Sequence, residues 1–177
     1  MKWKTVMFTG DSVADCGRAR PVGGYGFGTI GDSYLARIFI DTWADMPNHS
    51  IRYLNSATSG NTSGMLLARF EEGVLSYQPA YVFIMIGIND VWRQFDSPAI
   101  PDEQVSPEEY RSNVEKMILS VKDNVKGVFL MTPYYMEPNA EDWMRKRMDT
   151  YGAICRELAE KYGCCFIDLQ AVFNDYF

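Results

Sequence analysis

Four short apolar runs, residues 5–8, 81–86, 128–131 and 165–167, and a weaker fifth at 51–54, limit the possible folds most strongly. They lack the polar alternation of strands with one wet face. Such runs suit strands of a parallel sheet that helices cover on both sides. Helical patterns fill the gaps. From Ser106 the chain reads SPEEYRSNVEKMILSVKDN, where Ser106 and Glu109 form a capping box and Pro107 suits the first helical position. Tyr110, Val114, Met117, Ile118 and Val121 then recur at helical spacing. A second stripe joins Met144, Met148, Tyr151, Cys155, Leu158 and Tyr162, and Gly163 can stop it. Two earlier helices are expected around 32–46 and 63–77, and a further helical start at Ala171.

Alternation of this kind predicts an α/β three-layer sandwich with right-handed crossovers. The expected sheet has five parallel strands in the flavodoxin-like order 2-1-3-4-5. With 177 residues, 47% of them hydrophobic, the chain suits one domain spanning 1–177. No apolar run approaches the roughly eighteen residues of a membrane span, and MKWKTVMFTG reads as a first strand rather than a signal peptide. A net charge of −6 argues against nucleic acid as a partner. Cys16, Cys155, Cys164 and Cys165 lack CxxC spacing and read as reduced thiols of a cytoplasmic protein. No Cys/His group has zinc-ligand spacing, so neither a metal nor another cofactor is expected.

Ligands of such folds sit at the carboxyl ends of the strands. Three loops there carry small polar residues. Gly10-Asp11-Ser12 places a serine on a tight turn beside a following helix. NSATSGNTSG, residues 55–64, contains Gly60, which either offers a bare backbone N–H or simply permits a turn. IGINDVW, residues 86–92, puts the Asn89 amide just after an apolar strand. Each alone suits a structural role; together, at strand ends that converge, they suggest a site.

These three blocks resemble those of the SGNH hydrolases, the GDSL-type esterases. Asp15-Cys16-Gly17-Arg18-Ala19-Arg20-Pro21, the run from Met85 to Gln94, and Met131-Thr132-Pro133 resemble the intracellular acetylxylan esterases of that family. The resemblance covers nearly the whole chain. It implies that Ser12 is the nucleophile and that its own N–H, the Gly60 N–H and the Asn89 side chain form an oxyanion hole. Asp11 then shapes the loop as a hydrogen-bond acceptor within the substrate site and is not the base. Trp92 and Tyr134 are candidate substrate contacts, since aromatic faces stack on sugar rings; Arg93, Tyr135 and Trp143 are weaker ones.

The family's base comes from an Asp-x-x-His block after the fifth strand, and none occurs here. Asp168 marks the end of that strand. The one histidine, His49, falls in DMPNHSIR, on the connection at the sheet's opposite edge, and reads as a surface loop residue. Leu169, Val172, Phe173 and Phe177 begin an apolar pattern that a last helix would complete. The chain is therefore expected to lack its C-terminal segment, with that helix cut short, and to be nearly inactive on acetyl esters.

GFGTIG, residues 26–31, matches the G-x-G-x-x-G of dinucleotide-binding folds, but it does not directly follow a strand and reads as a loop beside the site. It and the segment 88–107 are expected to wall a cleft. The expected function is hydrolysis of acetyl or other short esters, with small acetylated carbohydrates such as xylo-oligosaccharides as substrate. The alternatives are a non-catalytic ligand-binding or assembly subunit, and a lysophospholipase or thioesterase. Exposed aromatic and Met side chains leave a homo-oligomer open.

Overall fold

All five apolar runs form strands in the computed structural model, which describes residues 4–24, 30–96, 100 and 104–176. They are β1 (Lys4–Gly10), β3 (Ile51–Asn55), β4 (Tyr81–Met85), β5 (Gly127–Met131) and β6 (Cys165–Ile167). All pair in parallel, in the order β3-β1-β4-β5-β6. The expected sheet of five strands, all parallel, needs one correction. A sixth strand, β2 (Gly23–Gly24), pairs antiparallel with the end of β3, which makes the sheet mixed. Two glycines carry no side-chain pattern, so the pairing rests on backbone alone.

The capped helices form where the sequence places them. Ser106 Oγ accepts the Glu109 N–H at 3.1 Å, with Pro107 opening α6 (Pro107–Val121). Helix α7 (Trp143–Tyr162) stops at Gly163, and Met148, Tyr151, Cys155 and Leu158 of its stripe are buried. Helix α2 (Tyr34–Asp45) is capped by Ser33. The helix expected over 63–77 is instead broken into α3 (Ser63–Ala68), α4 (Phe70–Gly73) and a 3-10 turn, Leu75–Tyr77. The break falls at Arg69, whose guanidinium turns away to the carbonyls of Ser56 and Gly10 and to Asn61. The supposed loop after β4 opens as helix α5 (Ile88–Asp96), with Val91 buried and Phe95 exposed. Two shorter helices complete the chain: α1 (Ser12–Asp15) and α8 (Leu169–Tyr176).

The core lies on both faces of the sheet. Met7, Val82, Ile84 and Leu130 pack under α6 and α7, against Tyr110, Met117, Met148 and Leu158. On the other face Val6, Phe8, Tyr53 and Met131 pack with Leu35 of α2. There Phe8, Phe83 and Phe129 stack side by side, with centroids 4.6 and 4.1 Å apart, and line an apolar cleft. Among the described residues no helix is long and apolar enough to cross a membrane.

Candidate active site

Because β3, β1 and β4 are neighbours and parallel, the segments leaving their carboxyl ends share one edge of the sheet. Ser12 follows β1, Gly60 follows β3 and Asn89 follows β4. Hydrogen bonds knit the three segments together. Ser56 N–H donates to Phe8 O at 2.8 Å and Thr58 N–H to Gly10 O at 3.0 Å. Asn89 Nδ2 donates to Asn61 O at 2.9 Å, which ties α5 to the turn that holds Gly60.

Ser12 is exposed and opens α1. The preceding Asp11 is the helix cap, and its Oδ1 accepts the Val13 N–H at 3.0 Å. Packing before that turn is tight: a side chain at Gly10 would run into the Met85 carbonyl of β4. Gly60 adopts φ +81° in the turn Ser59–Gly60, a left-handed conformation that strains other residues. Open space surrounds its Cα, so backbone shape rather than crowding selects glycine there.

Arginines anchor these loops from behind. Arg18, 5% exposed, donates from Nη1 to the carbonyls of Ala19 and Pro21 and from Nη2 to Ser56 O and Thr58 Oγ1. Its Nε reaches Ala57 O. Arg69 donates to Asn61 Oδ1 at 2.6 Å, Ser56 O at 2.7 Å and Gly10 O at 3.2 Å. Guanidinium groups are weakly hydrated and hold several donors in one plane, which suits them to buried carbonyl clusters. Asn55 adds a further brace: its Nδ2 donates to Ala14 O and Ile30 O, both at 2.7 Å, while its Oδ1 accepts the Ala57 N–H.

Two buried carboxylates sit in this frame with raised pKa values. Burial pushes Asp11 up to about 7; the Val13 N–H opposes that and the charge of Asp90 adds to it. Burial likewise raises Asp90 to about 6, against hydrogen bonds from Ser63. Ser63 donates its N–H to both Asp90 oxygens, at 3.0 and 2.9 Å, and its hydroxyl to Oδ1 at 2.5 Å. Keeping such carboxylates partly neutral lessens the negative field around the segments that carry Ser12, Gly60 and Asn89.

Trp92 stands one turn beyond Asn89 on α5 and is 49% exposed, at the rim. Tyr134 is half-buried and stacks on Phe173 of α8, centroids 4.4 Å apart, so one ring face is taken. The charge of Asp11 helps to raise its pKa, after burial, so the two lie within electrostatic reach. Arg93 pairs with Asp96 at 2.6 Å, and Trp143 is exposed at the start of α7. Gln170 pairs with both the N–H and the carbonyl of Tyr135, fixing α8 to the loop that carries Tyr134. His49 is exposed between α2 and β3, at the amino ends of the strands, with its ring on Met46. Residues 26–29 of GFGTIG lie outside the described residues.

The residues that brace the site were not singled out for that role in the sequence: Asp15, Arg18, Arg69 and Asp90. A lone cation inside an otherwise ordinary helical pattern was the available signal for Arg69.

A family model described as GDSL-like Lipase/Acylhydrolase family matches residues 8–177. An acetylxylan esterase of Geobacillus stearothermophilus is 45% identical over 170 residues, covering 96% of this chain and 78% of that protein. The crystal structure of Axe2, an acetylxylan esterase from Geobacillus stearothermophilus, matches with TM-score 0.95 and 44% identity, over 98% of this chain and 79% of that one. Solved catalytic mutants of Axe2 carry alanine in place of a histidine, a serine or an aspartate. An alpha/beta hydrolase from the metagenome of Lake Arreo, Spain, matches with TM-score 0.94 and 43% identity, over 98% of this chain and 80% of its own.

Proposed function

This chain belongs to the GDSL-like lipase/acylhydrolase family, and we propose that it is a serine esterase of the cytoplasm that removes acetyl groups from xylo-oligosaccharides. The observation that carries the reading is the arrangement of Ser12, Gly60 and Asn89 at the carboxyl ends of three adjacent parallel strands. The likeness to acetylxylan esterases supports the substrate. All four cysteines are free, which supports the compartment.

In this reading Ser12 Oγ attacks the acetyl carbonyl carbon while a base takes its proton. The carbonyl oxygen becomes an anion in the tetrahedral intermediate. Backbone N–H groups of Ser12 and Gly60 and the second hydrogen of Asn89 Nδ2 receive it. Donors already aimed at that oxygen favour the transition state over the neutral ester. Collapse expels the sugar hydroxyl and leaves an acetyl-serine that water hydrolyses. Trp92 and Tyr134 flank the sugar.

The one histidine of residues 1–177 is His49, on the opposite edge of the sheet. By itself, then, this chain should turn over acetyl esters slowly, keeping about 10³–10⁴-fold over water from binding and oxyanion stabilisation. The test is acetate release from acetylated xylo-oligosaccharides and from 4-nitrophenyl acetate. Slow release above the uncatalysed rate, lowered by Asn89→Ala and little changed by Ser12→Ala, is the expected result, because without a base the serine adds little to the oxyanion site. Fast release removed by Ser12→Ala would mean that a base lies within these residues. Release from either substrate no faster than the uncatalysed rate would favour a non-catalytic binding role.

A further inference from the structure

We propose that Asp15 is a positioning residue for ester hydrolysis, a carboxylate that sets the distance between the nucleophile's helix and the Gly60 turn. The inference rests on the esterase reading and extends it. Helix α1 is a single turn of four residues, with Ser12 at one end and Asp15 at the other. One turn cannot hold its own orientation, because nucleating a helix fixes several residues for a single hydrogen bond. Its direction must come from what its ends touch. Asp11 caps the start locally, through Val13. Asp15 binds the far end across the site: its Oδ2 accepts both the N–H and the hydroxyl of Ser59, each at 2.8 Å. Ser59 is the residue directly before Gly60, so this grip fixes the peptide adjoining the proposed donor.

The carboxylate is built to stay charged in that role. Asp15 is 1% exposed, and burial alone would raise its pKa. Two hydrogen bonds from the Arg20 guanidinium, of 2.9 Å to Oδ1 and 2.6 Å to Oδ2, its charge, and the two bonds from Ser59 together outweigh that and hold the group far below the usual carboxylate range. An anion accepts stronger hydrogen bonds than a neutral acid, which stiffens the Ser59 link. Meanwhile the Ser56–Phe8 and Thr58–Gly10 backbone bonds hold the β3 exit to β1 without Asp15. Loss of the carboxylate should therefore loosen the Ser59–Gly60 peptide, which Arg18, Arg69 and Asn89 hold only at its flanks, Thr58 and Asn61, and spare the sheet.

The test is Asp15→Asn in the 177-residue chain, read by turnover of 4-nitrophenyl acetate above the uncatalysed rate and by the Gly60 amide resonance of ¹⁵N-labelled protein. A misplacement of about 1 Å costs roughly 10²-fold, so kcat should fall by about that factor while KM changes by less than about threefold. The Gly60 resonance should move or broaden. Ser59→Ala removes one of the two Ser59 bonds and leaves the ion pair intact; it should show a smaller fall in kcat of the same kind, and it serves if Asp15→Asn does not fold. Unchanged kcat and an unmoved Gly60 resonance in the folded variants would overturn the proposal, as would a rise in KM alone. If Asn89→Ala also leaves turnover unchanged, the esterase reading is what fails, and the Gly60 resonance still reports on the Asp15 link.

Discussion

Replacing Asn89 by alanine should lower kcat for 4-nitrophenyl acetate by about 10²–10³-fold, the usual cost of one oxyanion donor. The side chain is buried in the first turn of α5, and one Nδ2 hydrogen is already committed to Asn61 O at 2.9 Å. That bond aims the amide, so the second hydrogen needs no reorganisation when charge develops. KM should change little, because the neutral ester offers the donor much less charge than the intermediate does. Asn89→Asp, nearly the same shape, should lose at least as much. It swaps a donor for an acceptor and adds a third acidic group to a buried region that already holds Asp11 and Asp90. A fall of less than about tenfold in kcat for Asn89→Ala, with the fold intact, would remove the amide from the oxyanion site.

The second large effect is on stability, and it comes from Asp11. Burial raises its carboxyl to about 7 in the folded protein, against about 3.9 for an ordinary aspartate. The sign follows from proton binding. Below about pH 4 both states hold the proton and the shift contributes nothing. Between about 4 and 7 the unfolded chain releases it while the folded protein retains it, so stability falls as pH rises, by up to about 1.4 kcal/mol per pH unit. Above about 7 both are ionised and the penalty stays constant. Asp90, raised to about 6, acts in the same direction. Asp11→Asn keeps a capping side chain but removes the titration. Its Tm relative to the parent should therefore rise by about 5–10 °C from pH 5 to pH 8 in a chain of this size. Thermal unfolding of both proteins across that range gives the answer; a difference that stays flat would mean that Asp11 titrates normally.

Much of this architecture is legible before any coordinates. Uninterrupted apolar runs such as Tyr81–Met85, short and set between helical patterns, suit strands covered on both faces, and Ser106 with Glu109 marks a helix start that the structure reproduces. The blocks around Ser12, Gly60 and Asn89 stand out because small polar residues sit where strands end. What escapes a reading of the sequence is held by long-range polar contacts. Gly23–Gly24 joins the sheet through backbone alone. The helix pattern over 63–77 breaks because Arg69 binds the carbonyls of Gly10 and Ser56, a competition that no periodicity records. Helix α5 begins at Ile88 within what reads as a loop, and its Asp90 is tied to Ser63 at the start of α3, a contact no sequence pattern records. Asp15, Arg18 and Asp90 belong to blocks that the sequence marks by resemblance, but only the fold shows that they are buried, and buried charges stay only where partners answer them.

The most direct measurement is a titration of ¹⁵N-labelled protein with sodium acetate, the reaction product and a small carboxylate that fits an oxyanion site. The backbone amide of Gly60 and the side-chain amide of Asn89 should shift together, with one shared Kd. Acetate that moves neither, or moves them with separate dissociation constants, would show that the two donors do not face a common anion beside Ser12.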